Sequence, residues 1–157
     1  MLKNVPRIIS PELLMVLAEM GHGDELVIGD GNFPAAHTAA ATRTNILIDC
    51  SGLNVPLLLD AILQMIPLDI KADKYAYLMD CTPDASIAEE QRRRPLEEQK
   101  CAWEAYGEVF SRYGYTLDRA GLLRKPGFLK QAEHAYAVLS ASEPERCGCI
   151  ILKKGVL

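Results

Sequence analysis

The sequence predicts an α/β fold, a sheet with helices on both faces. Three observations carry that expectation. Segments with helical spacing of apolar residues alternate with short, continuous apolar runs. The first such run, Leu26-Val27-Ile28, has no polar alternation and therefore reads as a strand covered on both sides. With 157 residues, 49% hydrophobic and 24% charged, the chain is long enough for one proper core, so residues 1–157 are expected to form a single domain.

The elements follow in order. Ser10 is a good N-cap, Pro11 suits the first helical position, and Glu12 complements the positive end of a helix. Leu13, Leu14, Val16, Leu17 and Met20 recur at helical spacing, and Gly21 is expected to end that helix with a positive φ. After the strand at 26–28, residues 35–44 read as an Ala/Thr-rich loop containing His37. Residues 45–50 read as a second buried strand, followed by the Ser51-Gly52 turn. A helix starts near Val55 with Pro56 in its first turn and stops before Pro67, with Leu57, Leu58, Ala61, Ile62 and Met65 on one face. A strand is expected near 75–81. Residues 86–94 look helical, Pro95 interrupts, and 97–113 resume with Trp103, Tyr106, Val109, Phe110 and Tyr113 on the inner face. Pro126 opens a last short helix reaching about His134, and 135–140 and 149–152 read as strands.

Composition removes several function classes. Lys plus Arg number 17 and Asp plus Glu 21, a formal net charge of −4, so no nucleic-acid partner is expected. The one basic cluster, Arg92-Arg93-Arg94, lies among Glu89, Glu90, Glu97 and Glu98 and reads as a solvated helix face. The most apolar window, 53–68, is broken by Pro56, Asp60 and Gln64 and is too short to span a bilayer, so no membrane partner is expected either. Residues 1–11 hold no apolar core of signal length, and a cytoplasmic location is the expectation. Five cysteines, at 50, 81, 101, 147 and 149, form an odd set without framework spacing and read as reduced thiols.

The turns on either side of the first strand hold the candidate functional groups: His22 and Asp24 before it, Asp30 after it. Histidine gives and takes protons near neutrality, since its unperturbed pKa is about 6.5. Its alternative role here is to cap the preceding helix. Asp30 followed by Gly31 also suits a plain turn, and Asp24 is expected to hold its own turn. At about 3.3 Å per extended residue, His22 and Asp30 lie of order 20 Å apart, so they share a pocket only if the loop folds back or two subunits meet. His37 and His134 read as surface or packing residues. Cys147-Gly148-Cys149 has half the ligands of a metal site, but no second pair at ligand spacing exists, and no metal is expected. Neither a glycine-rich phosphate loop nor a Ser-His-Asp pattern is present.

Met-Gly-His-Gly-Asp-Glu at 20–25, Asp30, Phe33-Pro34-Ala35 and Ile-Leu-Lys-Lys-Gly-Val at 151–156 together resemble the RbsD/FucU family of sugar mutarotases, most of all its L-fucose mutarotase branch. The resemblance implies a three-layer α/β/α domain around a mixed sheet. It implies a cytoplasmic isomerase that uses no cofactor and interconverts the α and β anomers of L-fucose or a related monosaccharide. It further implies self-association into a pentamer or decamer with pockets between subunits, with His22 catalytic and Asp30 substrate-binding. The alternatives within this frame are a ribopyranase-like pyranose/furanose conversion and a non-catalytic sugar-binding ring. The chain departs from the family pattern at Lys125, where the fucose branch often has Arg, and near the end of the second strand, where the branch has an Arg and this chain has Asp49 or Cys50. It departs again at Cys147-Gly148-Cys149, where the family usually has Tyr, a small residue and Asn.

Overall fold

The apolar runs assemble into one mixed sheet, seen in a computed structural model that describes residues 2–82 and 89–157. Its six strands are β1 (Glu25–Gly29), β2 (Leu47–Cys50), β3 (Ala76–Asp80), β4 (Ala120–Arg124), β5 (Ala137–Ala141) and β6 (Ile150–Lys153), in the spatial order β2-β5-β1-β6-β3-β4. Parallel pairing joins β2 to β5, β5 to β1 and β3 to β4. Only β6 runs the other way, antiparallel to both β1 and β3.

Helices cover both faces, giving the expected three layers. On one side α1 (Pro11–Glu19), α3 (Val55–Leu63) and α4 (Glu89–Arg112) pack Leu13, Leu58, Tyr106 and Phe110 against Leu26 and Ile28. On the other, α2 (Ala35–Ala41) and α5 (Lys125–Ala132) pack Ala39 and Phe128 against Val27. Successive residues of β1 thus enter opposite cores, which is why its run is apolar throughout. The expected N-cap forms, with the Leu13 N–H donating to Ser10 Oγ at 3.1 Å, and a second that was not foreseen joins it, the Leu57 N–H donating to Asn54 Oδ1 at 3.0 Å.

Several local expectations are corrected. The helix α1 ends in an extended Met20, and the left-handed glycine is Gly23 (φ 86°), not Gly21. Side chains do the capping instead, as described below. Residues 35–41 form α2 rather than a loop, because alanine has the highest helix propensity and Thr42 closes the turn onto the Ala39 carbonyl at 2.8 Å. The strand β2 is an edge strand with alternating burial, so it is not covered on both faces. In α3 the buried stripe is Val55, Leu58, Leu59 and Ile62, the i, i+3, i+4, i+7 pattern, which turns Leu57 outward at 52% exposure. Helix α4 continues through position 95, losing one backbone hydrogen bond there while Tyr106, Val109 and Phe110 anchor its later turns. Residues 86–88 of the expected first helical piece lie outside the described residues. Strand β4 was not anticipated; its residues alternate in burial at the sheet edge, with Leu122 facing out.

The rotated face of α3 gives a direct test. Leu58→Ala should lower stability by about 2–5 kcal/mol in urea unfolding, whereas Leu57→Ala should stay within about 0.5 kcal/mol of wild type.

Candidate active site

Strand direction brings a set of polar groups to one end of the sheet. The carboxyl ends of β1, β3 and β4 and the start of β6 lie together there, the position where open α/β sheets bind ligands. A cavity of about 340 Å3 opens at this end, lined among others by Asp30, Phe33, Cys81, Lys125, Arg146 and Cys147. Asp30 is only 5% exposed. Its N–H donates to Cys149 Sγ at 3.3 Å, and its carboxylate accepts the Asn32 N–H at 2.8 Å. Asp30 therefore shapes its turn and also lines the cavity. Burial, reinforced by the Asp30 charge, pushes the Cys149 thiol well up and keeps it protonated.

Glu143, which the sequence did not mark, fastens this end. Its carboxylate accepts the Val55 N–H at 3.1 Å and the Glu145 N–H at 3.2 Å, while its carbonyl accepts the Gly31 N–H at 3.0 Å. The start of α3, the β5–β6 connection and the Asp30 turn are thereby joined. Tyr106 donates its hydroxyl to the Gly148 carbonyl at 2.7 Å, and burial raises its phenol far beyond the usual range. A Cβ on Gly148 would meet Glu143 Cγ at 2.6 Å, so only glycine fits this crossing.

The cysteines are not all reduced thiols. Cys81 and Cys147 form a disulfide with Cα atoms 6.1 Å apart, leaving Cys50 and Cys149 as buried free thiols and Cys101 as an exposed one. Sequence separation of 66 residues gives no clue to this pairing. The antiparallel pairing of β3 with β6 creates it, by carrying the end of one strand to the approach of the other. Among the described residues, no three or more His, Cys, Asp or Glu side chains are grouped to hold a metal ion. Nor is any described helix long and apolar enough to cross a membrane.

His22 sits at the opposite end of the sheet. Its Nε2 lies 3.0 Å from Asp69 Oδ2, with the imidazole 48% and the carboxylate 10% exposed. The capping role weighed for His22 is filled by another residue: Lys154 Nζ donates to the Leu17 carbonyl at 2.8 Å and to the Met20 carbonyl at 2.6 Å. Asp24 holds the turn as expected, accepting the Gly21 N–H at 2.7 Å. Burial works to raise the Asp69 pKa, but the Lys71 N–H, the His22 imidazole and the Ala72 N–H outweigh it and leave the group below its ordinary value. The tail of β6 sets this carboxylate in place, since a Cβ on Gly155 would meet the Leu68 carbonyl oxygen at 2.4 Å. Asp69 was missed because it lies in an irregular connection after Pro67, with no periodicity or motif to flag it.

The two sequence-derived candidates therefore do not meet within one chain. His22 and Asp30 flank β1, about 20 Å apart by extended rise, and the cavity at Asp30 does not include His22. His37 and His134 are both exposed. Arg93, in the basic cluster, pairs with Glu97 at 2.8 Å on the solvent side of α4.

Fold and site define an α/β protein with a polar cavity at the carboxyl ends of its strands and a His–Asp pair at the other. The chain belongs to the RbsD / FucU transport protein family, whose model matches residues 3–157. It is 38% identical over 156 residues to a fucose mutarotase from Bos taurus, covering 99% of this chain and 94% of that protein. The crystal structure of the fucose mutarotase from Streptococcus pneumoniae in complex with L-fucose superposes with a TM-score of 0.81 at 36% identity, covering 99% of both chains. The likeness in fold extends to Bacillus subtilis RbsD complexed with D-ribose, at a TM-score of 0.66 and 20% identity, over 100% of this chain and 99% of that one.

The depressed Asp69 pKa has a defined pH signature. Its stabilising contribution is fully present above the unfolded aspartate value of about 3.9 and is lost as pH falls through the lower folded value. Asp69→Asn should remove that contribution, flattening the fall of the urea midpoint between about pH 5 and pH 2 relative to wild type.

Proposed function

We propose that this protein is a sugar mutarotase, an isomerase that interconverts the α and β anomers of L-fucose or a related monosaccharide without a cofactor. The carrying observation is His22, released from helix capping by Lys154 and held through Nε2 by Asp69 while half of its ring faces solvent. Relatedness to fucose mutarotases over nearly the whole chain supports L-fucose as the first sugar to test.

Changing an anomer requires the ring to open, with a proton reaching the ring oxygen while another leaves the anomeric hydroxyl. The aldehyde then turns and the ring recloses. The Asp69 carboxylate fixes the imidazole orientation and favours a proton on Nε2, leaving Nδ1 as the nitrogen that exchanges a proton with the sugar. Asp30, which lines the cavity, accepts hydrogen bonds from sugar hydroxyls. Because His22 and Asp30 stand at opposite ends of β1, the site is composite: His22 of one subunit faces the Asp30 cavity of another within a pentamer or decamer. The exposed apolar side chains beside the His22 end, Ile70 at 62% and Val156 at 51%, support a subunit contact there. The reaction calls on neither nucleic acid nor membrane, and free monosaccharides make the cytoplasm its natural setting.

Saturation-transfer NMR between the α and β anomeric protons of L-fucose tests this, with D-ribose and L-rhamnose run alongside. Wild type should accelerate exchange beyond buffer, and His22→Ala should lose about 10²- to 10⁴-fold of it while sugar binding survives. Binding without exchange in wild type would mean a non-catalytic sugar-binding ring, and pyranose/furanose exchange of D-ribose alone a ribopyranase. A monomeric variant that keeps full activity would sink the composite site.

A further inference from the structure

We propose that the Cys81–Cys147 disulfide is a thiol–disulfide exchange site built into the wall of the sugar pocket, where a low-molecular-weight thiol such as glutathione couples to Cys147 and occupies the space of the sugar. The inference rests on the reading of the Asp30 cavity as the sugar site.

Three observations converge. Both sulfurs belong to residues that line the cavity, and both residues are partly exposed, whereas Cys50 and Cys149 are buried. Lys125 and Arg146 line the same cavity as the two sulfurs. Cationic neighbours of this kind stabilise a thiolate and make it a better leaving group. Cys147 has a φ of 61°, a left-handed conformation disfavoured for a residue with a side chain, next to a Gly148 pinned by Tyr106 and Glu143. Opening the disulfide frees Cys147 to relax.

The exchange balances in two steps. A thiolate RS⁻ attacks Cys147 Sγ; the new bond is RS–Sγ, the Cys81–Cys147 bond breaks, and its electron pair leaves as the Cys81 thiolate in the cavity lined by Lys125 and Arg146. A second RS⁻ then attacks the sulfur of the bound thiol, forming RSSR and releasing the Cys147 thiolate. Two RSH are oxidised to one RSSR as one disulfide is reduced to two thiols, and RSSR reverses the sequence. Cys149 takes no part, since its protonated thiol is buried against Asp30.

The test uses the full chain carrying Cys101→Ser, which removes the exposed free thiol. Folded protein should show no fast-reacting thiol to a chromogenic disulfide reagent, and treatment with reduced glutathione should expose Cys81 and Cys147. With Cys81→Ser added, glutathione disulfide should give one adduct, mapped to Cys147 by peptide mass spectrometry. L-fucose should slow that adduct at least tenfold, and the adduct should weaken L-fucose binding by the same factor. A disulfide that resists reduced glutathione until the protein is unfolded would make it a plain cross-link and overturn the proposal. An adduct at Cys147 that leaves L-fucose binding unchanged would overturn the shared pocket. Thiol counts and adduct mapping do not depend on turnover, so failure of the mutarotase reading is recognised separately, by the absence of anomer exchange in the untreated wild type.

Discussion

The single antiparallel strand, β6, is the constraint on which the rest of the molecule depends. Its Ile150, Ile151 and Leu152 are fully buried between β1 and β3, each contributing on the order of 1.5–3 kcal/mol of apolar burial. Running against its neighbours, it begins at the end where they finish. Its approach therefore delivers Cys147, Gly148 and Cys149 to the cavity beside Asp30, and its exit delivers Lys154 and Gly155 to the His22 end. One strand thus ties together both polar centres, and the length of a strand keeps them apart.

Each end shows how hydrogen bonding decides what a titratable group is free to do. At the His22 end, Lys154 takes the α1 carbonyls, so the imidazole has no helix to cap and turns to Asp69 instead. At the cavity end, Glu143 satisfies backbone donors of three separate segments, which lets Asp30 sit nearly buried in a turn of fixed shape. Neither Lys154 nor Glu143 touches a reacting atom in the proposed chemistry. Lys154 frees His22, and Glu143 fixes the turn that holds Asp30.

Sulfur lines one side of the cavity, with Cys147 bonded to Cys81 and Cys149 accepting the Asp30 N–H. A disulfide and a buried thiol offer a sugar little hydrogen bonding. The polar residues that line this cavity are Asp30, Asn32, Lys125 and Arg146.

By itself the sequence determined the layers and the two polar turns. The cap at Ser10, the continuous apolar run of β1 and the Pro-marked starts of α1, α3 and α5 are local features, and local backbone physics is enough to read them. It misjudged residues whose state depends on neighbours. Strand β4 formed only by pairing with β3, and Leu57 was turned outward by the packing of α3. Asp69 as the partner of His22, Glu143 as a clamp and Cys81 as the mate of Cys147 are all contacts between distant parts of the chain. Nothing in local periodicity or spacing encodes them; the order and direction of the strands, above all the reversal of β6, bring them together.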